Sequence, residues 1–410
     1  MDYTAPKGMR DFLPEEMQRR EWVISTIKSA YKRFGFVPME TPALETVEVL
    51  EKKCGDEIKG QLFRVDDGRL ALRFDLTVPL SRVASSNTFK KPFKRYCIAP
   101  VWRKEEPQKG RMREFLQADA DIIGCQSVRA EAELIAAATS ALDALGFEGA
   151  AVRLNDRRII SAIAGKLLSG KEGAILRILD KREKIGNEAA VEMLVGIGAN
   201  AKDAGKLVEE LSSEGSNDAK LKMASSYSKE AAQDLKQIIE LVKEYGSVST
   251  IVLDFSLVRG LDYYTGPIFE IKLSDEIGSV GGGGRYDNLL SMYGQGDSAV
   301  GISLGIERLM ALLGKKEMKK EGVFVAAVKD DFYPYALQVA SSLRAEGIPA
   351  QTDLNARNLK KQIDYAAGSC AWLIVVGEKE KKEKKVTLRN LESGKEEMLP
   401  LEGAISKIRI

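Results

Sequence analysis

The chain has 410 residues, 44% of them hydrophobic and 30% charged, with a net charge of +2 and no histidine. That size and mix predict a soluble globular protein of two or three domains, and no apolar run reaches the length of a membrane span. The missing histidine excludes imidazole bases, Ser-His triads, Cys-His pairs and His-ligated metals. Any catalysis must run on carboxylates, Arg and Lys, tyrosines, backbone dipoles or an oxygen-liganded metal such as magnesium.

The N-terminus, MDYTAPKGMRDFLPEEM, is charged and proline-broken, unlike a signal peptide. Cys54, Cys97, Cys125 and Cys370 lack CxxC spacing, which predicts reduced thiols in the cytosol and no zinc site. Residues 15–35 carry apolar positions at helical spacing and stop at Gly35. FVPMETPALE (36–45) reads as extended chain. Residues 61–80 read as a hairpin: QLFRV, the turn DDGR, then LALRFDLTVPL. Residues 93–124 read as strand, long polar loop, strand, with the alternation of antiparallel strands. Residues 128–146 predict an Ala-rich amphipathic helix.

From about Arg157 to Tyr245 the chain is helical and rich in Lys, Glu and Ala, with breaks at SGKEG and SSEGSND, the texture of an inserted helical domain. Strand-like, glycine-containing sequence returns at Ser247. KKEMKKEG (315–322) is a charged linker. The remainder alternates strand and helix, which predicts a small α/β domain with a mixed or parallel sheet.

Several polar stretches stand out. LVRGLDYYTGPIFEI (257–271) packs Arg259, Asp262, Tyr263 and Tyr264 into six positions between two strand-like runs, where an ordinary turn needs only one or two special residues. Residues 90–113 hold nine Lys or Arg against two acids, a local charge of +7. A solvated hairpin tip would explain such charge. Arginines at both bases of the loop instead suit a phosphate clamp, with Arg103 and Arg111 as its forks, Phe115 placed to stack on a base, and Glu105 free to bind an adenine amino group or a metal. RFDLTVPL (73–80) predicts Asp75 and Thr77 on one face of a strand, either as ligands for an amino group or as an exposed edge. QADADIIG (117–124) puts Gln117, Asp119 and Asp121 on one face that should otherwise be core. GGGGRYDNLL (281–290) lacks the spacing of a nucleotide-binding loop, so a tight turn with close backbone approach is expected. AVGISLGIERLMALL (299–313) reads as a small-residue strand running into a helix that carries Arg308.

These stretches together resemble a known family. FKRYCIAPVWRKEEPQKGRMREFLQ is similar to the second signature motif of class II aminoacyl-tRNA synthetases, AVGISLGIERLMALL to the third, and YKRFGFVPMETPALE to the first, with Pro42 in the usual place. LVRGLDYYTGPIFE and GGGGRYDNL resemble the two motifs particular to histidyl-tRNA synthetases, and PKGMRDFLPEE that family's N-terminus. The resemblance spans the whole chain. It implies an α+β catalytic domain with a mainly antiparallel sheet (1–156 and 246–314), a helical insertion (157–245), a linker (315–320) and a C-terminal α/β anticodon-binding domain (321–410).

The resemblance also implies roles. The substrates would be L-histidine, ATP with Mg2+, and tRNA(His), with no tightly bound cofactor and no protein-held metal. Asp121 and Tyr264 would address the two ring nitrogens, with Tyr263 lining the same pocket. The family often has Glu where Asp121 stands, so the ring or strand must sit closer here. Asp75, Thr77 and Gln117 would hold the α-amino group, with Leu76 in the same histidine-binding stretch. Arg103 would bridge the carboxylate and the α-phosphate, and Arg259 would face that phosphate from the other side. Arg111 and Arg308 would hold the outer phosphates, Phe115 and Arg308 would sandwich adenine, and Glu105 would read its amino group. Residues 321–410 are nearly neutral, with 14 Lys or Arg and 13 Asp or Glu, so anticodon binding would rest on a local patch such as EKEKKEKK (378–385), itself also readable as a solvated loop. The first motif implies a homodimer, and the scattered cysteines suit the cytoplasm. A rival is a histidine-binding regulatory paralogue, of the ATP phosphoribosyltransferase regulatory subunit type, that charges no tRNA.

Overall fold

The computed structural model describes residues 3–52, 56–108, 110–212, 215–247, 249–260, 264–274, 276–294, 296–314 and 318–409. The chain forms two compact units, residues 1–315 and 316–410.

The first unit opens with helix α1 (Pro14–Arg33). Pro14 suits the first helical position, Glu15 and Glu16 complement the N-terminal dipole, and Lys32 and Arg33 the C-terminal one. The helix ends at Gly35, whose φ of +77° favours glycine. Then follow β1 (Val37–Pro38), β2 (Leu44–Thr46), the short helices α2 (Val47–Glu51) and α3 (Asp56–Gln61), β3 (Arg64–Val65) and β4 (Leu70–Leu72). The expected hairpin over 61–80 forms, but its second strand stops at Leu72, and helix α4 (Thr77–Ser86) begins where the strand was predicted to continue. The cause is local: the Asp75 carboxylate accepts the Val78 N–H at 3.0 Å, which caps a helical turn, and Pro79 is tolerated in that first turn. Asp75 and Thr77 therefore do not share a strand face.

β5 (Phe93–Trp102) and β6 (Glu114–Ile123) form the predicted antiparallel pair. Helix α5 (Arg129–Ala144) is less amphipathic than expected: eleven of its sixteen residues are buried, because α1 and the sheet pack around it and alanines allow close approach. After β7 (Ala151–Asp156) come six helices, α6 (Arg157–Leu167), α7 (Glu172–Ile185), α8 (Asn187–Gly196), α9 (Ala201–Ser212), α10 (Asn217–Tyr227) and α11 (Lys229–Glu244). Their apolar faces join one continuous core with the sheet. The unit closes with β8 (Thr250–Leu253), β9 (Pro267–Ser274), β10 (Gly278–Arg285), helix α12 (Asp287–Met292), β11 (Ala299–Gly305) and α13 (Ile306–Leu313).

Eight strands form one sheet in the order β1-β5-β6-β11-β10-β9-β7-β8. The six central strands are antiparallel to their neighbours, and β1 and β8 add a parallel strand at each flank. The four glycines 281–284 are not the expected tight turn. They lie inside β10, paired on both sides. The expected close approach is real: a Cβ at Gly283 would sit 2.0 Å from the Gly301 carbonyl oxygen.

The second unit contains β12 (Val323–Ala327), α14 (Tyr333–Ala345), β13 (Ala350–Thr352), α15 (Leu359–Ser369), β14 (Trp372–Val376), α16 (Glu378–Glu383), β15 (Lys385–Asn390), β16 (Glu396–Pro400) and α17 (Leu401–Ile408). Its sheet order is β13-β12-β14-β15-β16, parallel over the first three strands and antiparallel after them, the mixed sheet expected. β12 is buried along its whole length, as its continuous apolar run requires. The sequence reading lacked β16. The run 378–385, expected as a basic patch or else a solvated loop, is mostly α16, tied down by Glu380, which accepts from Gly377 N at 3.0 Å and Thr387 Oγ1 at 2.8 Å.

Candidate active site

A cavity of about 640 Å³ opens on the glycine-rich face of the large sheet. Its wall brings together Asp75, Thr77, Arg103, Glu105, Arg111, Phe115, Gln117, Asp121, Arg259, Tyr264 and Arg308. These positions are spread over more than 230 residues of chain. Tyr263 lies outside the described residues. Leu76 is not on the wall: its side chain is buried beside Cys97, Ala99 and Val101, and its carbonyl accepts from Arg95 at 3.0 Å.

One part of the wall is cationic. The loop between β5 and β6 is closed at its base by Arg103 N donating to Arg113 O at 2.8 Å. Arg103 Nε donates to Phe74 O at 2.9 Å, and its guanidinium lies 5.2 Å from the Phe115 ring centroid. The N-terminal segment braces the outer side of this loop. Gly8 O accepts from Arg113 N at 2.8 Å, and Lys7 pairs with Glu106 at 2.9 Å. Gly8 has φ +82°, and a Cβ there would meet Arg113 Cγ at 2.6 Å. Glu105 is engaged rather than free: Arg111 grips it with two bonds, that from Nη2 to Oε1 at 2.6 Å. Arg308 sits in the first turn of α13, where Nη1 donates to Ser279 O. Burial, then the charges of Arg111 and Arg259, lower its proton affinity. Beside it, Glu307 accepts from Arg20 Nη2 at 2.6 Å and from Leu116 N at 2.9 Å, which fixes α13 against β6.

Arg259 reaches Glu270 Oε2 at 2.7 Å. Glu270 is a buried acid in the otherwise apolar run PIFEI of β9, directly opposite Arg153 on β7. Arg153 donates to Glu270 at 3.0 Å, to Asp254 at 2.6 Å and to Ser256 Oγ at 3.0 Å. An ionic chain centred on the buried Glu270 therefore holds the base of the Arg259 loop.

A second part of the wall is acidic. Side chains alternate along β6, so Gln117, Asp119 and Asp121 face the cavity together, as predicted. Asp121 is 2% exposed; Tyr286 Oη donates to its Oδ1 at 2.5 Å, and Arg95 lies 2.8 Å from its Oδ2. The latter contact is an ion pair whose angle misses hydrogen-bond alignment. Burial raises the Asp121 pKa, while Arg95 and the Tyr286 bond oppose the shift. Burial and the Asp121 charge push Asp119 up to about 7, and burial pushes Asp75 up to about 6 against the Val78 N–H and Arg103. Tyr264 is set by Gly260, whose carbonyl accepts the Tyr264 N–H at 3.0 Å; a Cβ on Gly260 would lie 2.1 Å from the ring.

Sequence reasoning quoted Asp119 and Tyr286 without giving them roles, and missed Glu270, Ser303, Arg95 and Asp180 of α7. The lone acid in PIFEI was a readable signal for Glu270. Nothing local marked Tyr286, which meets Asp121 across 165 positions of chain.

An antiparallel sheet with an arginine-based loop between two strands and an arginine-bearing helix after a third is the catalytic fold of class II aminoacyl-tRNA synthetases. The family described as Histidyl-tRNA synthetase matches residues 8–309, and Anticodon binding domain matches 322–409. A histidine–tRNA ligase of Cytophaga hutchinsonii is 35% identical over 450 aligned positions, covering 99% of both chains. The crystal structure of histidyl-tRNA synthetase from Nostoc sp. PCC 7120 superimposes with a TM-score of 0.87 at 28% identity, over 100% of this chain and 99% of that one. An ATP phosphoribosyltransferase regulatory subunit/histidyl-tRNA synthetase of Bacillus halodurans shares the fold alone, at TM-score 0.77 and 23% identity over 92% of this chain and 100% of that one. The chain belongs to the histidyl-tRNA synthetase family.

Proposed function

We infer that the protein activates L-histidine with ATP, forming histidyl-adenylate and pyrophosphate, and then transfers histidine to tRNA(His) with release of AMP. The observation that carries this reading is the meeting of four arginines and a buried acidic face in one cavity. Among the described residues Arg111 pairs with Glu105 and Arg259 with Glu270, while Glu307 is committed to Arg20. Four arginines gathered at one end of the cavity suit a triphosphate. The acidic face suits a small cationic amino acid.

In this reading the histidine carboxylate attacks the α-phosphorus. An O–P bond forms, the bond to the bridging oxygen breaks, and the electron pair leaves on pyrophosphate. The nucleophile is already ionised, so no general base is required, and a chain without histidine loses nothing in this step. Arg103 and Arg259 neutralise charge building at the α-phosphate. Arg111 exchanges Glu105 for the outer phosphates, where Arg308 joins it. Glu105, once released, reads the adenine amino group, and adenine stacks between Phe115 and Arg308. Magnesium arrives as part of substrate MgATP, held by phosphate oxygens. Asp75, Thr77 and Gln117 take the α-amino group. Asp121, oriented by Tyr286 and Arg95, and Tyr264 take the ring.

We also assign 1–156 and 246–314 as the catalytic domain, 157–245 as an insertion, and 321–410 as the anticodon-binding domain, in a cytoplasmic homodimer. No described helix is long and apolar enough to cross a membrane. The test is ATP–pyrophosphate exchange with each of the twenty amino acids. Exchange with histidine alone, lost in Arg259→Ala, is expected. Histidine binding without exchange would instead favour a regulatory paralogue.

A further inference from the structure

The acidic wall contains one carboxylate that the activation chemistry above leaves without a task. Asp119 lies between Gln117 and Asp121 on β6, is 3% exposed and lines the cavity. Its Oδ1 is buried and has no hydrogen-bond partner among the described residues. An ionisable group in that state is costly unless something binds to it.

The neighbouring neutral donors Gln117 Nε2 and Ser303 are engaged, and the nearby Arg95 charge acts on both Asp119 and Asp121. Asp119 faces Ser303 across the β6–β11 ladder. Gln117 Nε2 donates to Ser303 Oγ at 3.1 Å, and the Ser303 hydroxyl favours the ionised form of Asp119. This arrangement leaves Gln117 Oε1, also buried and without a partner among the described residues, and Asp119 Oδ1 as two open acceptors on one wall. Asp75 supplies a third acceptor to the same cavity. Asp121 is different, because Arg95 and Tyr286 already compensate it. Acceptors without donors fit a group that only donates, and an ammonium carries three N–H donors and no acceptor.

We propose that Asp119 is a specificity-determining ligand of the substrate's α-ammonium, which it shares with Asp75 and Gln117 Oε1. The assignment rests on the histidine-activating reading and deepens it. Two carboxylates then face one positive charge, while the substrate's own carboxylate is left to Arg103. An analogue with a hydroxyl in place of the amino group brings one donor and an acceptor, so it strands at least one buried carboxylate oxygen. The site rejects such a molecule through its unpaired groups rather than by shape.

The experiment is ATP–pyrophosphate exchange by the full chain with L-histidine or its α-hydroxy analogue, imidazole lactate. Wild type is compared with Asp119→Asn and Ser303→Ala. For Asp119→Asn the KM for histidine is expected to rise about 10-fold to 100-fold, the loss of one charge-assisted hydrogen bond. The KM for ATP and the exchange supported by imidazole lactate should not fall, so selectivity for the amino acid collapses. Ser303→Ala removes the hydroxyl that favours ionised Asp119 and should shift histidine KM in the same direction, less steeply. It serves as the test if Asp119→Asn does not fold. Equal losses with both substrates, or an unchanged histidine KM in both variants, would overturn the assignment. Wild type inactive with histidine would instead overturn the functional reading itself.

Discussion

Gly301→Ala puts a methyl carbon where Asp121 keeps its carboxylate. Gly301 pairs with Asp121 across the β6–β11 ladder, and a Cβ there would lie 2.1 Å from Asp121 Oδ1 and 3.2 Å from Tyr286 Cε1. Ordinary contact begins at 3.4 Å, so the carboxylate must move by more than an ångström. It has nowhere to go, because Arg95 holds it at 2.8 Å and Tyr286 at 2.5 Å, all three side chains being buried. Breaking such a buried ionic group costs about 3–5 kcal/mol, a large share of the roughly 5–15 kcal/mol that stabilises a folded protein. For a unit of this size that corresponds to a fall in Tm of about 5–8 °C. Gly282→Ala on β10 is the matched control. Its Cβ would meet Phe269 O at 3.3 Å, a contact relieved by a small shift, and its cost should stay near about 1 kcal/mol. Thermal unfolding of both variants, with histidine KM from pyrophosphate exchange, checks the contrast. Gly301→Ala melting within a degree of wild type and binding histidine normally would refute the claim that this glycine makes room for the carboxylate.

Glu270→Gln keeps the shape of the anchor but removes its charge, so Arg259 loses its 2.7 Å ion pair. Exchange kcat should fall about tenfold or more with little change in histidine KM, and Glu270→Asp should recover part of it. Gly8→Ala forces the N-terminal segment off Arg113, and a raised ATP KM with unchanged histidine KM is expected in the same assay. The raised carboxylates also set a pH dependence. Asp119 at about 7 and Asp75 at about 6, against an ordinary 3.8, stay protonated in the fold where the unfolded chain has ionised, so their contribution is present at low pH and lost as pH rises to 7. Asp119→Asn removes the larger part, so its unfolding free energy relative to wild type should rise from pH 5 to pH 8 by up to about 3 kcal/mol, measured by denaturant titration in the absence of ligand.

The ligand-facing residues were legible because each sits in a short stretch whose local pattern is abnormal. Nine basic residues in 90–113 are too many for a core, and of the described ones only Arg95 is fully buried, while three polar side chains on the inner face of β6 cannot be surface. Where local rules competed, the reading failed. The alternation R-F-D-L-T-V over 73–78 fits a strand as well as a capped helix, and only the Asp75–Val78 bond decides between them. Glycines 281–284 suit a turn by intrinsic preference, yet pairing with β9 and β11 on both sides, and the absence of room at Gly283, make them a central strand.

The supporting residues were illegible for a different reason. Tyr286 orients Asp121, Gly301 clears space for it, and Arg95 neutralises it, each across a sheet register that no local pattern encodes, whereas Glu270, which holds Arg259, was marked as the lone acid of an apolar run. A substrate contact must present a particular chemistry, which marks its own stretch of chain. A support needs only to complement a partner already in place, and that partner is far away in the chain. Asp119 falls between the two kinds. Its position on β6 was visible, but its open oxygen became meaningful only once Ser303, 184 positions later, had taken up the neighbouring donors.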